Sequence, residues 1–387
     1  MRISSKAQQI KPSAIRKMFN QALEYDNVIS FTLGEPDFTA PPNVVQAAER
    51  ALEEGKTKYS PNIGILELRE AVSHRLAASH GLSYSPKDEI VITIGAMGAL
   101  HLAMMCLLEE GDEVLISAPC WTNYIQIVTM CGGVPVLVPA LEANDFVPDP
   151  AVLEEHITSR TRLILLNSPA NPTGGVIDHD TLEKIAGLCV QHGLYVLSDE
   201  VYRTIAFDGV TVESIATFPQ MQERTVVVDS FSKAYAMTGW RVGFAAAPRE
   251  LVLEMTKLQE NVSACCPTPC QYAAVEALSG PQQCIDAMNL QYKARRNLVI
   301  EQINRMPGLS CKTPKATFYA FVNITGTGLS SEDFAMQLLR QHQVVVVPGT
   351  AFGPQGEGYV RISYATSLEQ ITEGLDRIEA FVRGLKA

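Results

Sequence analysis

Lys233 is the side chain of this sequence best placed to act as a nucleophile. It follows the apolar run Val226-Val227-Val228, in Asp229-Ser230-Phe231-Ser232-Lys233, and Gly239-Trp240-Arg241-Val242-Gly243 comes shortly after. A lysine amine attacks a carbonyl carbon once it has lost its proton, and desolvation among other cations brings its pKa down toward neutrality. Ser230, Ser232 and Arg241 add two hydroxyl donors and a planar guanidinium, a set that suits a phosphate. The segment asks for a small molecule that carries both an aldehyde and a phosphate.

Further candidates lie at the ends of other apolar runs. Asp199, in Ser198-Asp199-Glu200-Val201-Tyr202, either caps a helix or faces a ligand such as a pyridine ring whose nitrogen must stay protonated. Asn167-Ser168-Pro169-Ala170-Asn171-Pro172-Thr173-Gly174-Gly175 is turn chemistry on its residue types alone. Thr93-Ile94-Gly95-Ala96-Met97-Gly98-Ala99 carries a strand into a helix, where free N–H groups make an anion site. Trp121 is a core residue or a stacking platform. Arg361, inside Tyr359-Val360-Arg361-Ile362-Ser363, is in most strands a paired or snorkelling side chain.

Seven short apolar runs supply the frame: Glu89–Ile94, Val114–Ala118, Val134–Pro139, Leu163–Asn167, Leu194–Asp199, Val226–Asp229 and Val242–Ala247. They are apolar throughout rather than alternating, as strands covered on both faces are. Between them Met97, Leu100, Met104, Leu107 and Leu108 recur at helical spacing and stop at Gly111. Leu182, Ile185, Ala186 and Cys189 do the same up to Gly193. The pattern predicts an α/β fold: a mainly parallel seven-stranded sheet sandwiched by helices, with ligands at the carboxyl ends of the strands. From about residue 290 the rhythm changes. A basic helical stretch, Tyr292–Asn297, leads to runs at Phe318–Ile324, Val344–Pro348 and Tyr359–Ala365. Ser367 and Gln370 then open a last helix with Ile371, Leu375, Ile378 and Phe381 inward. This predicts a smaller α+β domain. The expected division is 1–40 as N-terminal arm and small-domain segment, 41–290 as the large domain and 291–387 as the small C-terminal domain.

At 387 residues and 47% hydrophobic content the chain has material for two such domains. A net charge of -11 argues against nucleic acid or an anionic membrane as partner. No apolar run approaches the roughly 20 residues of a membrane-spanning helix, and Met1–Phe19 lacks the apolar centre of a secretory signal. Nine cysteines, an odd number without framework spacing, read as reduced thiols of a cytoplasmic protein. Cys265, Cys266 and Cys270 crowd together, but no second Cys or His pair stands at ligand spacing, so no metal is expected.

Asn171, Asp199, Tyr202, Lys233, Arg241 and Arg361 stand together in an order that resembles the class I/II (fold-type-I) aminotransferases of the aspartate aminotransferase superfamily. The resemblance runs from about residue 10 to 385. These enzymes use pyridoxal 5'-phosphate, which fits the aldehyde and the phosphate asked for above. The resemblance implies Lys233 as Schiff-base partner and proton shuttle, Asp199 at the ring nitrogen, Tyr202 and Asn171 at the ring oxygen, and Trp121 stacked on the ring. Gly95, Ala96, Met97, Ser230, Ser232 and Arg241 would hold the phosphate, and Tyr59 would reach the phosphate of the neighbouring subunit in a homodimer. Arg361, Asn171 and Gly34 would bind the substrate carboxylate, the arginine as a fork that lysine does not match, with the Asn171-Pro172 bond cis. The implied reaction moves the α-amino group of an L-amino acid to a 2-oxo acid such as 2-oxoglutarate by ping-pong kinetics. A cystathionine-type carbon-sulfur β-lyase shares the fold and most of these residues and is the alternative. Both usual clamps for a second carboxylate are missing. Met97 stands where some bacterial relatives place a lysine, and Glu260–Cys270 contains no basic residue. That weights alanine, aromatic and apolar donors against strict aspartate specificity. Glu260-Asn261-Val262-Ser263 and Gly356–Arg361 most resemble bacterial aspartate and acetyl-diaminopimelate-type aminotransferases.

Overall fold

The computed structural model describes residues 3–12 and 14–385, so the outermost two residues at each end of the expected division lie outside the described residues. A first short strand, β1 (Ile29–Ser30), belongs to the C-terminal part of the molecule. The next seven build one sheet: β2 (Ile90–Ile94), β3 (Glu113–Ala118), β4 (Val134–Pro139), β5 (Thr161–Asn167), β6 (Tyr195–Asp199), β7 (Thr225–Ser230) and β8 (Val242–Ala246). Their order is β2-β8-β7-β6-β5-β3-β4, and only β8 runs against its neighbours.

The unbroken hydrophobicity of these strands has its cause in the layers. Val114, Ile116, Leu163 and Leu165 pack under the helices Gly95–Leu107, Asn123–Met130 and Arg249–Val262. Leu115, Ile164, Leu166 and Val196 point the other way, onto Leu182, Ile185 and Cys189 of the helix His179–His192. Each such side chain contributes about 1.5–3 kcal/mol by leaving water, so a polar residue on either face is costly. The His179–His192 helix ends where expected, on Gly193 in the left-handed region (φ 66). The helix Gly95–Leu107 stops short of Gly111. Leu108 is already extended, and the Asp112 carboxylate accepts the Glu109 N–H at 3.0 Å to build a separate turn.

Parallel strands deliver their carboxyl ends to one edge, which gathers Ile94, Ala118, Asn167, Asp199 and Ser230. Because β8 runs back, its amino end arrives at the same edge. Val242 pairs with Ile94 and Gly243 with Ser230, and Arg241 stands just before them.

The smaller α+β part contains β9 (Tyr319–Asn323), β10 (Val344–Val345), β11 (Val347–Pro348) and β12 (Tyr359–Ser363). The apolar run Val344–Pro348, one strand on the sequence, is two in the structure. β10 pairs in parallel with β1, whereas β11 joins the antiparallel sheet β11-β12-β9. Its core combines Phe318, Phe334, Leu338, Ile371, Leu375, Ile378 and Phe381 with Met18, Ala22, Ile29 and Phe31 from the N-terminal segment. The 21-residue helix Gln283–Ile303 runs through residue 290 and connects the two parts. Ser367 caps the last helix through the Gln370 N–H. All nine cysteines are free thiols. Among the described residues no helix is long and apolar enough to cross a membrane, and no group of three His, Cys, Asp or Glu is disposed to hold a metal ion.

Candidate active site

A cavity of about 610 Å³ opens at the edge where the strands end. Of the residues singled out from the sequence, Gly34, Ala96, Met97, Trp121, Asn171, Asp199, Tyr202, Ser230, Ser232, Lys233, Arg241 and Arg361 line it. Gly95 lies just behind, with φ +65, and a Cβ there would sit 2.5 Å from the Arg241 guanidinium. Tyr59 is elsewhere, on the surface and 89% exposed.

Ser230 ends β7 and caps the one-turn helix Phe231–Ala234, its Oγ accepting the Ser232 N–H at 3.3 Å. That turn sets Lys233 on the cavity wall, where its Nζ donates to the Gly34 carbonyl oxygen. Burial draws the amine down to about 8. Glu35 and Asp199 oppose the change, and Arg361 and Arg241 add to it. At pH 7 about a tenth of the amine is then free base, against well under a thousandth for an ordinary lysine. Arg241 adopts the left-handed region (φ 56) and donates from Nη1 to the Thr238 carbonyl at 3.0 Å. A Cβ on Gly243 would stand 2.6 Å from the Gly95 carbonyl carbon and 2.7 Å from the Ala96 nitrogen. The start of β8 and the Gly95 turn thus touch backbone to backbone. Two hydroxyls, a guanidinium and the first N–H groups of the Gly95–Leu107 helix converge there as an anion cradle.

Two adjacent buried carboxylates behave oppositely. Glu200 meets strong desolvation, but His80 Nε2 at 3.0 Å, Arg203 Nη1 at 3.4 Å and the hydroxyls of Ser198 and Ser214 more than offset it, so its pKa falls. Asp199 is only 2% exposed and has hydrogen bonds but no ion pair. The Tyr124 hydroxyl donates to Oδ2 at 2.7 Å and the Val201 N–H to Oδ1 at 3.3 Å. Burial outweighs them and pushes the carboxyl up to about 6. Asp199 is not a helix cap. Among the described residues it makes no ion pair, and the nearby Lys233 charge offsets only part of its burial, so a cationic ligand in the cavity would be favoured.

Arg361 in β12 forms the opposite wall. It is 1% exposed, and burial lowers its pKa. Nη1 donates to Asn171 Oδ1 at 3.1 Å and Nη2 to the Thr32 carbonyl at 2.6 Å, while Nε is buried without a partner. Tyr319 and Phe352 cover the guanidinium at 4.4 and 5.0 Å. Asn171 is fixed in turn, its N–H donating to Asn167 Oδ1 at 2.9 Å, and the Asn171-Pro172 bond is cis as expected. Tyr202 and Tyr319 share a hydrogen bond of 3.0 Å between hydroxyls.

Sequence reasoning missed Tyr124, Tyr319, Thr32, Phe352 and the Ile15, Arg16 and Phe19 side chains that also line or support the cavity. Only Tyr124 carried a signal. It stands one helical turn beyond Trp121, and the two rings meet edge to face at 5.4 Å.

Residues 26–378 match the family described as Aminotransferase class I and II. The chain is 44% identical over 388 residues to aromatic-amino-acid aminotransferase 2 of Thermococcus litoralis, covering 100% of both chains. It is 42% identical over 388 residues to the aspartate aminotransferase of Pyrococcus abyssi, again covering 100% of both. Among solved structures, the aromatic aminotransferase from Pyrococcus horikoshii superposes with a TM-score of 0.92 at 42% identity, over 95% of this chain and 99% of that one.

Proposed function

The chain belongs to the class I and II aminotransferases, and from that membership we propose that it passes the α-amino group of an L-amino acid to a 2-oxo acid such as 2-oxoglutarate, with pyridoxal 5'-phosphate as its resident cofactor. One observation carries the reading: an amine lowered to about 8 and a buried carboxylate raised to about 6, in no ion pair among the described residues, face one cavity. The donor set suits the cofactor. Ser230, Ser232, Arg241 and the Gly95–Met97 turn would take its phosphate, Asp199 its ring nitrogen, and Tyr202 and Asn171 its ring oxygen, with Trp121 against its face. When bound, the cofactor supplies an aldehyde for attachment to an amine and an electron-withdrawing ring that stabilises charge at the substrate α-carbon.

The chain does the rest. Lys233 would hold the aldehyde carbon at rest and, once released as a neutral amine, would take the substrate α-proton and deliver it to that former aldehyde carbon, which leaves the amino group on the cofactor. Asp199, oriented by Tyr124, stays ionised against the ring nitrogen. Arg361 grips the α-carboxylate with help from Asn171 and presents the Cα–H bond to the Lys233 Nζ. Leu33–Glu35 forms one side of the cavity. The proposal extends to a homodimer in which the exposed Tyr59 reaches the partner's phosphate, to a cytoplasmic location, and to the division 1–40, 41–290 and 291–387.

The test mixes cofactor-loaded protein with single L-amino acids in the absence of any oxo acid. The expected result is one equivalent of the matching 2-oxo acid per site, with none from Lys233→Ala, and parallel initial-rate lines once an acceptor is supplied. Pyruvate and ammonia accumulating from cystathionine beyond one equivalent would replace the reading with a β-lyase.

A further inference from the structure

Glu200 is 2% exposed and lines no part of the cavity. It is the chain neighbour of Asp199, and its N–H continues the strand pairing to the Val228 carbonyl at 2.9 Å. Side chains alternate along a strand, so Asp199 turns to Tyr124 and the cavity while Glu200 turns to the far face of the sheet. There the end of the helix Leu66–His80 meets it. Four side chains donate to Glu200. Ser198 at 2.8 Å and Ser214 at 2.5 Å bind Oε1, and His80 Nε2 at 3.0 Å and Arg203 Nη1 at 3.4 Å bind Oε2. Arg203 Nη2 also donates to the Ser79 carbonyl at 2.9 Å, which ties the guanidinium to the same helix end.

A carboxylate with four donors from three separate segments is a fixed point. What it fixes is the turn that enters the cavity. The Glu200 carbonyl accepts the Arg203 N–H at 2.9 Å, so Arg203 closes the turn through its backbone and its side chain together. The same peptide plane carries the Val201 N–H, which donates to Asp199 Oδ1 at 3.3 Å. Because the peptide is planar, holding its carbonyl also aims its N–H. Asp199 therefore receives one of its two hydrogen bonds from a group that Glu200 and Arg203 orient, the other coming from Tyr124. With two acceptor positions filled out of about four, its carboxylate keeps capacity for a ligand. Burial is the main reason the Asp199 carboxyl is raised, and the Glu200 charge adds to it, which strengthens its hold on a protonated ring nitrogen.

We propose that Glu200 is a positioning residue for Asp199: anchored by His80 and Arg203 on the far face of the sheet, it aims the Val201 N–H, and through it the Asp199 carboxylate, at the ring nitrogen of the cofactor. The inference rests on the aminotransferase reading and adds to it residues that touch neither substrate nor cofactor. It also explains why two neighbouring carboxylates are treated so differently. Glu200 is surrounded by donors and stays put, and Asp199 is left able to take one more.

The test titrates two ligands into the cofactor-free full chain by calorimetry. Pyridoxine 5'-phosphate carries the ring nitrogen and the phosphate but no aldehyde for Lys233, and inorganic phosphate reads the cradle of Ser230, Ser232 and Arg241 alone. Glu200→Gln keeps the shape and drops the charge. Its Kd for pyridoxine 5'-phosphate should rise about tenfold, with inorganic phosphate within about twofold of wild type. In an Asp199→Asn background the same substitution should change the Kd by less than about twofold, because the group it acts through is gone. His80→Asn withdraws the Nε2 donor and should weaken pyridoxine 5'-phosphate in the same way. His80→Gln, whose amide nitrogen reaches the same place, should restore most of the affinity. A loss that persists in Asp199→Asn, an equal loss for both ligands, or no loss in Glu200→Gln overturns the role of Glu200 alone. If Glu200→Gln does not fold, equal affinities in wild type and His80→Asn overturn it instead. Failure of pyridoxine 5'-phosphate to bind wild type overturns the cofactor reading, and the role of Glu200 with it.

Discussion

Replacing Asp199 by asparagine should stabilise the cofactor-free chain while removing its chemistry. The carboxyl is lifted from 3.8 to about 6, and burial is the main cause. At 1.36 kcal/mol per tenfold change in proton affinity, that difference corresponds to about 3 kcal/mol. Between those two values the folded chain holds more protons than the unfolded one. Stability therefore falls as pH rises through the window, and the whole cost is present above about pH 6. Asparagine has the same shape and no charge. Its amide can accept the Val201 N–H while the Tyr124 hydroxyl turns to accept from the amide nitrogen. The expected gain is about 1–3 kcal/mol at pH 7.5, shrinking below about 1 kcal/mol at pH 4. Urea unfolding of wild type and Asp199→Asn at both pH values measures it directly. The variant should lose amino transfer and bind pyridoxal 5'-phosphate less tightly, because the ring nitrogen loses its anion. A variant no more stable than wild type at pH 7.5, or one whose gain is the same at pH 4, refutes the reasoning that burial of the Asp199 charge outweighs what its partners return.

Two further outcomes are expected. In the cofactor-free protein, reductive methylation of Lys233 by formaldehyde, followed by peptide mass spectrometry, should show a midpoint near 8, since the reactive neutral amine forms as pH rises through that value. A midpoint close to the 10.4 of an ordinary lysine would contradict the burial argument. Gly95→Ala places a methyl group 2.5 Å from the Arg241 guanidinium at a φ of +65, so cofactor affinity should drop about tenfold with the fold retained. An affinity within twofold of wild type in an absorbance titration would remove Gly95 from the phosphate cradle.

The sheet was legible because its strands are covered on both faces, and a covered strand can be read from hydrophobicity alone. All seven runs became strands. Asp199, Ser230 and Lys233 were legible for a related reason: each follows such a run, and a parallel sheet brings the ends of its runs to one edge. What the sequence hid is what arrives from a distance. Tyr319 sits in a strand of aromatic residues where nothing marks one hydroxyl as the partner of Tyr202. Arg16 lies on an amphipathic helix that reads as ordinary surface until the helix is seated. The run Val344–Pro348 hides its break because Val344, Val345, Val346 and Val347 are all fully buried, so hydrophobicity cannot tell where one pairing partner gives way to another.

The parallel pair of β1 with β10 has a consequence for how the molecule is made. Ile29 and Ser30 leave the ribosome early, yet their partners Val344 and Val345 emerge only near the end of the chain. At translation rates of about 5–20 residues per second the wait is roughly 15–60 s. Throughout that interval Ile29 and Phe31, both buried in the finished protein, lack the part of their cover that comes from Val344, Val345, Ile371 and Leu375. The Thr32 carbonyl likewise waits for the arginine it will hold. A nascent chain can thus complete its seven-stranded sheet, and the lysine and aspartate on it, well before it owns a grip for a carboxylate. Truncation anywhere before residue 344 leaves a sticky leading segment that chaperones or proteases would meet first.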